Sequence, residues 1–196
     1  MNSPERRAFA AALHAAGREH DARQPDRLAR WRNLEPETAE LLGVLVRAKR
    51  AQRVLEIGTS NGYSTIWLAD AAEATGGHVL TVEIEPSRTA LARENLARAS
   101  LEDRVELKCE DAALTLRSLP DHAFELTFLD AERPYYVGYW HDLVRTLAPG
   151  GLLAVDNAIS HANELVEFRA VVDADSRVTQ ALVPIGAGLL LAVTPG

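Results

Sequence analysis

The sequence predicts an α/β protein with a doubly wound, mostly parallel, Rossmann-like sheet of seven strands, preceded by helices and closed by an antiparallel hairpin. From residue 53 onward, apolar runs typical of buried strands alternate with segments of helical period. Residues 4–49 are rich in alanine and arginine and contain no strand pattern, so we expect helices there. The last two apolar runs are separated by Gly186-Ala187-Gly188, which is typical of a hairpin.

Individual elements follow from the same patterns. Five strands are predicted at VLEI, HVLTVE, RVELKC, FELTFLD and GLLAVD, and the hairpin adds RVTQALVPI and GLLLAV. Helices are predicted at 64–74, 86–99, 112–119, 135–147 and 162–173. Alternating strands and helices form right-handed βαβ units, which cover both faces of a parallel sheet. We expect one domain over residues 1–196, with an N-terminal helical cap (1–50) and a Rossmann-like core (51–196).

Composition narrows the classes of function. The chain has 196 residues, 47% of them apolar, which suffices for one buried core. Its single cysteine, Cys109, cannot form an internal disulfide and is expected to be a buried strand residue. Because no apolar run could cross a bilayer, we expect a cytoplasmic protein without a membrane partner. The net charge of −7 disfavours nucleic acid and favours a small-molecule partner.

The first strand is followed by Glu56-Ile-Gly58-Thr-Ser-Asn-Gly62-Tyr-Ser64. Ligands of open α/β sheets bind at the carboxyl ends of the strands, so this segment is a candidate binding loop. Its two glycines differ in spacing from the G-x-G-x-x-G of pyrophosphate sites. An acid beside the loop suits the ammonium and sulfonium of S-adenosylmethionine (SAM). Glu56 is therefore expected to face the methionine end of SAM, directly or through water, although an incidental acid at a structural turn is the alternative.

Two further strand ends carry acids. Glu83 follows the second strand, where a carboxylate can accept hydrogen bonds from both ribose hydroxyls. Glu85 is expected to cap the helix that begins at Pro86. Asp111 follows the third strand and is interpreted as an acceptor for the adenine amino group or, equally, as the N-cap of the next helix.

The fourth and fifth strands end in Asp130 and in Asp156-Asn157. Two carboxylates and a carboxamide, without histidine or thiolate, suit a hard octahedral cation such as Mg²⁺, with Mn²⁺ and Ca²⁺ also compatible. The alternative is that Asp130 orients the cofactor or caps a helix, and that Asp156-Asn157 is a polar turn.

The segments EIGTSNGYS, TVEIEP, CEDA, FLDAERPYY and VDNAISH, in this order and spacing, resemble the cation-dependent small-molecule O-methyltransferases. That family includes catechol and caffeoyl-coenzyme A enzymes and their bacterial relatives. The resemblance implies SAM-dependent methyl transfer to a catechol-like or phenolic hydroxyl, and relatives of this type often form homodimers. It implies a cofactor shell of Glu56, Gly58, Ser60, Gly62, Ser64, Glu83, Asp111, Ala112 and Asp130. It implies the metal ligands Asp130, Asp156 and Asn157.

One position departs from the family pattern. The family commonly has a lysine general base three residues after the first metal-binding aspartate, but this chain has Arg133. Arginine stays protonated, so Arg133 is expected to orient an anionic acceptor or to lower the pKa of the acceptor hydroxyl. His161 is a candidate base, with a helix-capping or solvent-exposed histidine as the alternative. Tyr136 and Trp140, with Tyr139, are candidate walls for an aromatic acceptor or ordinary packing residues.

Other functions stay open at this point. A degenerate protein that binds SAM without turnover is suggested by Arg133 and by Ala187, where many relatives carry an acid. A metal-independent methyltransferase of another small-molecule class is a further alternative. An amino-methylase of DNA is disfavoured because Asp130-Ala-Glu-Arg stands where such enzymes have Asp/Asn-Pro-Pro-aromatic. A nicotinamide oxidoreductase is disfavoured by the glycine spacing and the hairpin.

Overall fold

The computed structural model describes residue 1 and residues 3–196. Among these residues the strands are β1 (Arg53–Ile57), β2 (His78–Glu83), β3 (Val105–Cys109), β4 (Phe124–Leu129), β5 (Leu147–Val155), β6 (Thr179–Val183) and β7 (Leu189–Val193). The helices are α1 (Pro4–Ala22), α2 (Pro36–Ala48), α3 (Tyr63–Thr75), α4 (Pro86–Arg98), α5 (Ala112–Ser118), α6 (Tyr136–Thr146) and α7 (Val166–Ala174). Short 3₁₀ turns lie at Arg27–Ala29, Glu102–Arg104, Arg133–Tyr135 and Ala162–Glu164.

All seven strands form one sheet in the order β3-β2-β1-β4-β5-β7-β6. The pairs from β3 to β5 are parallel, whereas β7 is antiparallel to both β5 and β6. β1 lies between β2 and β4, so the order of the chain reverses at its carboxyl end. This topology confirms the predicted doubly wound sheet with its closing hairpin, and it brings the loops after β1, β2 and β4 together.

Hydrophobic clusters cover both faces of the sheet. Val54 belongs to the cluster formed with α2 and α3, and its neighbour Leu55 belongs to the cluster formed with α6 and α7. Alternate residues of a strand point to opposite faces, so both must be apolar when helices cover both sides. This double burial explains why the central strands read as continuous apolar runs. No helix of the described residues is long and apolar enough to span a bilayer.

The N-terminal region differs from the prediction of helix over residues 4–49. After α1 the chain turns at Arg27–Ala29 and then has no helix or strand until α2 begins at Pro36, with Arg32 in a left-handed backbone conformation. The Asp21 carboxylate accepts hydrogen bonds from the backbone N–H groups of Trp31 (2.7 Å) and Arg32 (2.8 Å), which a helix would have used internally. The proline at position 36 also disfavours helical backbone at Glu35. The segment 30–35 is therefore a connection between two helices.

Two smaller expectations also need correction. The helix predicted at 162–173 is interrupted, because a 3₁₀ turn at Ala162–Glu164 precedes α7. Cys109 is exposed, not buried, because β3 is an edge strand whose residues are only partly covered. Edge strands lack a neighbour on one side, which the alternating pattern of RVELKC does not reveal.

Candidate active site

A cavity of about 410 Å³ opens at the carboxyl ends of β1, β2 and β4. Its size is that of a small-molecule site. Sequence-predicted site residues that line it are Gly58, Ser60, Ser64, Glu83, Asp111, Ala112, Asp130, Arg133, Asp156, Asn157 and His161. The irregular segment 31–35 lines it as well. The structure thus brings the ends of five different strands, β1 to β5, and the N-terminal segment to one cavity.

The loop after β1 depends on its two glycines. Gly58 has φ of 100°, and a Cβ there would collide with the backbone carbonyl of Asp130. Gly62 has φ of 84°, and a Cβ there would lie 3.3 Å from Ala92 on α4. Both positions therefore favour glycine. Gly58 lies on the cavity wall, whereas Gly62 is absent from that wall and instead allows α3 to pack against α4.

Glu56 lies beneath the cavity wall. Its buried carboxylate accepts hydrogen bonds from the hydroxyls of Ser64 (2.6 Å), Thr65 (2.5 Å) and Thr81 (2.6 Å). Burial raises the pKa of Glu56 to about 7, and these three donors oppose that rise. Since Ser64 lines the cavity and Glu56 does not, a contact from Glu56 to a ligand would pass through Ser64.

Glu83 lies on the cavity wall beside the first loop. Its carboxylate accepts hydrogen bonds from the backbone N–H groups of Ser60 (2.8 Å) and Glu85 (3.0 Å). The Ser60 hydroxyl donates to the carbonyl of Trp31 at 2.8 Å, which ties the cofactor loop to the N-terminal segment. Glu85 occupies the N-cap position of α4, but its side chain makes no capping bond, which corrects that expectation. The carboxylate of Glu83 is therefore held in place by the backbone.

Asp111 is the N-cap of α5, where its carboxylate accepts from the backbone N–H groups of Ala113 (2.7 Å) and Leu114 (3.3 Å). The capping interpretation is therefore confirmed. Asp111 and Ala112 also line the cavity, so the contact with adenine stays a prediction.

Asp130, Asp156 and Asn157 meet at the ends of β4 and β5. The Asn157 amide donates to Asp156 Oδ2 at 2.9 Å and lies 3.2 Å from Asp130 Oδ1. Burial raises the pKa of Asp130 well above its usual range, and the Arg32 guanidinium opposes that rise. Burial and the neighbouring charge of Asp130 raise the pKa of Asp156. The two carboxylates therefore form a destabilised pair.

These three residues are a chemically suitable donor set for a divalent cation. Asp156 Oδ1 is buried and has no hydrogen-bond partner among the described residues, and a cation would relieve the repulsion between the acids. Asn157 presents its amide nitrogen to both acids, so its carboxamide would have to rotate to offer oxygen. Within the described chain, no group of three or more His, Cys, Asp and Glu side chains could hold a metal ion. A site here would therefore need the carboxamide.

The two candidate catalytic residues line the cavity but are engaged by neighbours. Arg133 is 4% exposed, and its Nε donates to the Glu164 carboxylate at 2.7 Å. His161 is half-buried, with Nδ1 2.8 Å from the Ser160 hydroxyl, and it makes no helix-capping bond. Lys49 and Lys108 are absent from the cavity wall. No lysine is therefore available at this wall, and Arg133 is paired through Nε while its buried Nη2 has no hydrogen-bond partner among the described residues.

Tyr136 and Trp140 do not wall the cavity, which corrects that expectation. The Tyr136 hydroxyl is buried and hydrogen-bonds the backbone of Ala131, and the Trp140 indole donates to Asp175 at 2.8 Å. Both rings pack edge-on against Phe168, as the packing alternative predicts. The aromatic residues on the cavity wall are Tyr135 and Tyr139, whose ring centroids are 6.2 Å apart.

The sequence analysis missed the contribution of the segment between α1 and α2. Trp31, Arg32 and Glu35 line the cavity, and the Trp31 ring stacks on His20 at a centroid distance of 3.9 Å. An aromatic residue in a charged stretch just before Pro36 was the available signal. It did not indicate which part of the sheet the segment would reach.

The sheet has the order of a doubly wound fold and an antiparallel β7. Its cavity is lined by the loop that begins at Gly58 after β1 and by the carboxylate that ends β2. The fold and the cavity therefore define an S-adenosylmethionine-dependent methyltransferase.

Comparison with known proteins gives the family. The model of the O-methyltransferase family matches residues 18–194, so the chain belongs to that family and is a SAM-dependent O-methyltransferase. Catechol O-methyltransferase of Mycobacterium tuberculosis is 39% identical over 160 residues, which are 82% of this chain and 69% of the relative. The predicted resemblance is confirmed.

Solved structures agree. The O-methyltransferase TomG from Streptomyces achromogenes, in complex with SAM, has 28% identity and a TM-score of 0.78, with coverage of 100% of this chain and 92% of that one. The O-methyltransferase from Bacillus cereus, in complex with SAH, has 26% identity and a TM-score of 0.78, with coverage of 95% and 90%.

Proposed function

We propose that this enzyme transfers a methyl group from SAM to a hydroxyl oxygen of a small catechol-like or phenolic acceptor, with a divalent cation at Asp130, Asp156 and Asn157. The observation that carries the proposal is that the loop after β1 and the two buried carboxylates after β4 and β5 line the same cavity. The similarity to a catechol O-methyltransferase supports the acceptor class.

The proposed roles divide the cavity into a cofactor half, beside Ser64 and Glu83, and an acceptor half, beside Asp156 and Asn157. Ser64, backed by Glu56, would hold the methionine end of SAM, and Glu83 would bind the ribose hydroxyls. The Asp130 backbone lies against Gly58, and its side chain lies beside Asn157, so Asp130 forms the border between cofactor and acceptor. When bound, SAM supplies the methyl group from its sulfonium, and the cation lowers the pKa of the acceptor hydroxyl. The fold holds both reactants at a fixed distance.

The acceptor half has an aromatic wall but no lysine. Tyr135 and Tyr139 would pack against the ring of an aromatic acceptor. Arg133 stays protonated and is bound to Glu164, so it does not accept the hydroxyl proton. His161 is the candidate to receive that proton, since it lines the cavity and a neutral imidazole can accept a proton.

Methyl transfer to a panel of catechols and phenols, with and without Mg²⁺, tests the proposal. Asp130→Ala and Asp156→Ala should each remove the part of the turnover that EDTA removes, because each loses a carboxylate ligand. Asp173→Ala, an exposed substitution on α7, is the matched control and should keep wild-type turnover. A turnover rate that is unchanged by EDTA would refute the metal role and leave methyl transfer intact.

The role of His161 has a separate test. His161→Gln should flatten the acidic limb of the pH–rate profile, because the variant has no imidazole to lose a proton. An unchanged profile would exclude His161 as the base.

A second candidate function is SAM binding without turnover. It is favoured by the Arg133–Glu164 ion pair, which stands where the family commonly has a lysine. Tight binding of S-adenosylhomocysteine, together with no methylation of any panel member with or without Mg²⁺, would support it against the first candidate. Turnover that is indifferent to EDTA and to Asp156→Ala would instead favour a metal-independent methyltransferase. The homodimer stays a prediction, which sedimentation analysis can check.

A further inference from the structure

The charges around the cavity are unequal. Seven acidic side chains and three arginines of the described residues line it. Each arginine already has protein partners. Arg32 and Arg133 form ion pairs with Glu132 and Glu164, and Arg88 donates to backbone carbonyls of the segment 28–30. Each arginine therefore has at least one protein partner, although the buried Nη2 of Arg133 has no hydrogen-bond partner among the described residues.

Glu35 stands out among the acids. It lies at the N-cap position of α2 and on the cavity wall, yet its carboxylate makes no capping bond. This carboxylate also accepts no other hydrogen bond and forms no ion pair within the described part of the chain. A partly buried carboxylate without such partners is costly to desolvate unless a ligand donates to it. The position is therefore suited to a ligand that brings a hydrogen-bond donor or a positive charge.

Glu35 lies on the cavity wall and beside the turn between β6 and β7. A Cβ built on Gly186, in the turn between β6 and β7, would lie 3.1 Å from Glu35 Oε2. The same turn binds the loop that carries Asn157, because the Ala187 carbonyl accepts hydrogen bonds from the N–H groups of Ile159 (3.1 Å) and Ser160 (2.9 Å). Residues 186–188 have no polar side chains, so Glu35 supplies the charge beside this turn.

The field of Glu35 reaches the predicted metal ligands. Burial is the main cause of the raised pKa of Asp130 and of Asp156; repulsion from Glu56 adds to the first and repulsion from Asp130 to the second, and Glu35 adds a smaller repulsion to both. An acceptor whose hydroxyl lies beside these two aspartates would therefore lie within the electrostatic range of Glu35 as well.

We infer that Glu35 determines the charge class of the acceptor: it favours acceptors with a cationic or neutral hydrogen-bond donor beyond the reacting hydroxyl, and it excludes acceptors with an anionic group there. The inference rests on the proposed function, because it assumes an acceptor in the acceptor half of the cavity. It competes with the expectation that Arg133 orients an anionic acceptor, since Glu164 pairs with Nε of that arginine and its Nη2 has no partner among the described residues.

Three diols of similar size test the inference: dopamine (cationic), catechol (neutral) and 3,4-dihydroxybenzoate (anionic). We expect wild-type kcat/KM to be highest for dopamine and lowest for the benzoate. Glu35→Gln keeps the shape of the side chain and removes its charge. It should therefore lower the ratio of kcat/KM for dopamine to kcat/KM for the benzoate by about tenfold. Glu37→Gln is the control, because Glu37 is exposed in the first turn of α2. It removes a charge from the same end of the helix dipole as Glu35→Gln does, and it should leave this ratio unchanged.

A binding measurement separates the two proposals. Calorimetric titration of the same three diols into the protein loaded with S-adenosylhomocysteine should show the same order of affinity and the same effect of Glu35→Gln. If the wild type methylates the diols and Glu35→Gln has the same dopamine-to-benzoate ratio of kcat/KM as the wild type, the role of Glu35 is overturned and the proposed function stands. If the wild type neither binds nor methylates any of the diols, the proposed function fails and this inference fails with it.

Discussion

Replacing Glu56 by glutamine removes a buried ionisable group beneath the cofactor loop and keeps the shape of the side chain. The carboxyl is fully buried, and its pKa rises from the ordinary 4.5 to about 7 because burial outweighs the three hydroxyl donors. Between these two values the folded protein holds a proton that the unfolded chain has already lost.

The sign of the effect follows. In this pH range the folded state binds more protons, so the free energy of unfolding falls as pH rises from about 4.5 to about 7 and this contribution is constant above. A rise of the pKa from 4.5 to about 7 corresponds to about 3 kcal/mol. Relative to Glu56→Gln, the wild type should therefore lose up to about 3 kcal/mol of stability between pH 4.5 and pH 8.

Urea denaturation without cofactor, followed by tryptophan fluorescence at several pH values and constant ionic strength, measures this difference. Other titrating groups are common to both proteins and cancel, apart from Asp130, whose pKa is raised mainly by burial and in part by repulsion from Glu56. Glu94→Gln, an exposed substitution on α4, controls for the change from glutamate to glutamine. A difference between wild type and Glu56→Gln that stays flat from pH 5 to pH 8 would refute the reasoning. The cationic groups of SAM should also favour the ionised carboxyl, so SAM binding should tighten over the same range in the wild type only.

Two further substitutions test the walls of the cavity. Gly58→Ala should abolish SAM binding in calorimetry and destabilise the fold, because the new Cβ meets the Asp130 carbonyl at a φ of 100°; normal affinity would contradict the geometry. Tyr136→Phe should lower the free energy of unfolding in urea by about 1–3 kcal/mol, because the buried backbone N–H and carbonyl of Ala131 lose their hydroxyl partner. A stability equal to that of the wild type would show that Ala131 has another partner.

Local patterns predicted the elements best where burial is continuous. The segment HVLTVE coincides with β2 (His78–Glu83), because an apolar run between turn residues leaves little choice of structure. The acids Glu83, Asp130 and Asp156 were correctly placed at strand ends, since these positions follow from strand boundaries alone. Glu35 was missed because its place on the cavity wall depends on how the segment between α1 and α2 crosses the sheet.

Side-chain direction was harder to predict than position. Tyr136, Tyr139 and Trp140 share one face by helical spacing, yet Tyr139 lines the cavity while Tyr136 and Trp140 pack on Phe168. A rotation of α6 by part of a turn would exchange these roles, and that rotation is set by packing against α7. The partner of Arg133 was invisible for the same reason, because Glu164 lies 31 residues away in the chain.

By itself, the sequence determined the doubly wound sheet, the closing hairpin, the family and the set of polar residues at the strand ends. These features depend on hydrophobic period, glycine spacing and residue order, all of which are local. Only the tertiary structure decided that Glu56 lies beneath the cavity wall, that Arg133 pairs with Glu164 and that Glu35 lies on that wall. Those outcomes depend on contacts between segments far apart in the chain, whose distances and burial exist only after the helices have packed on the sheet.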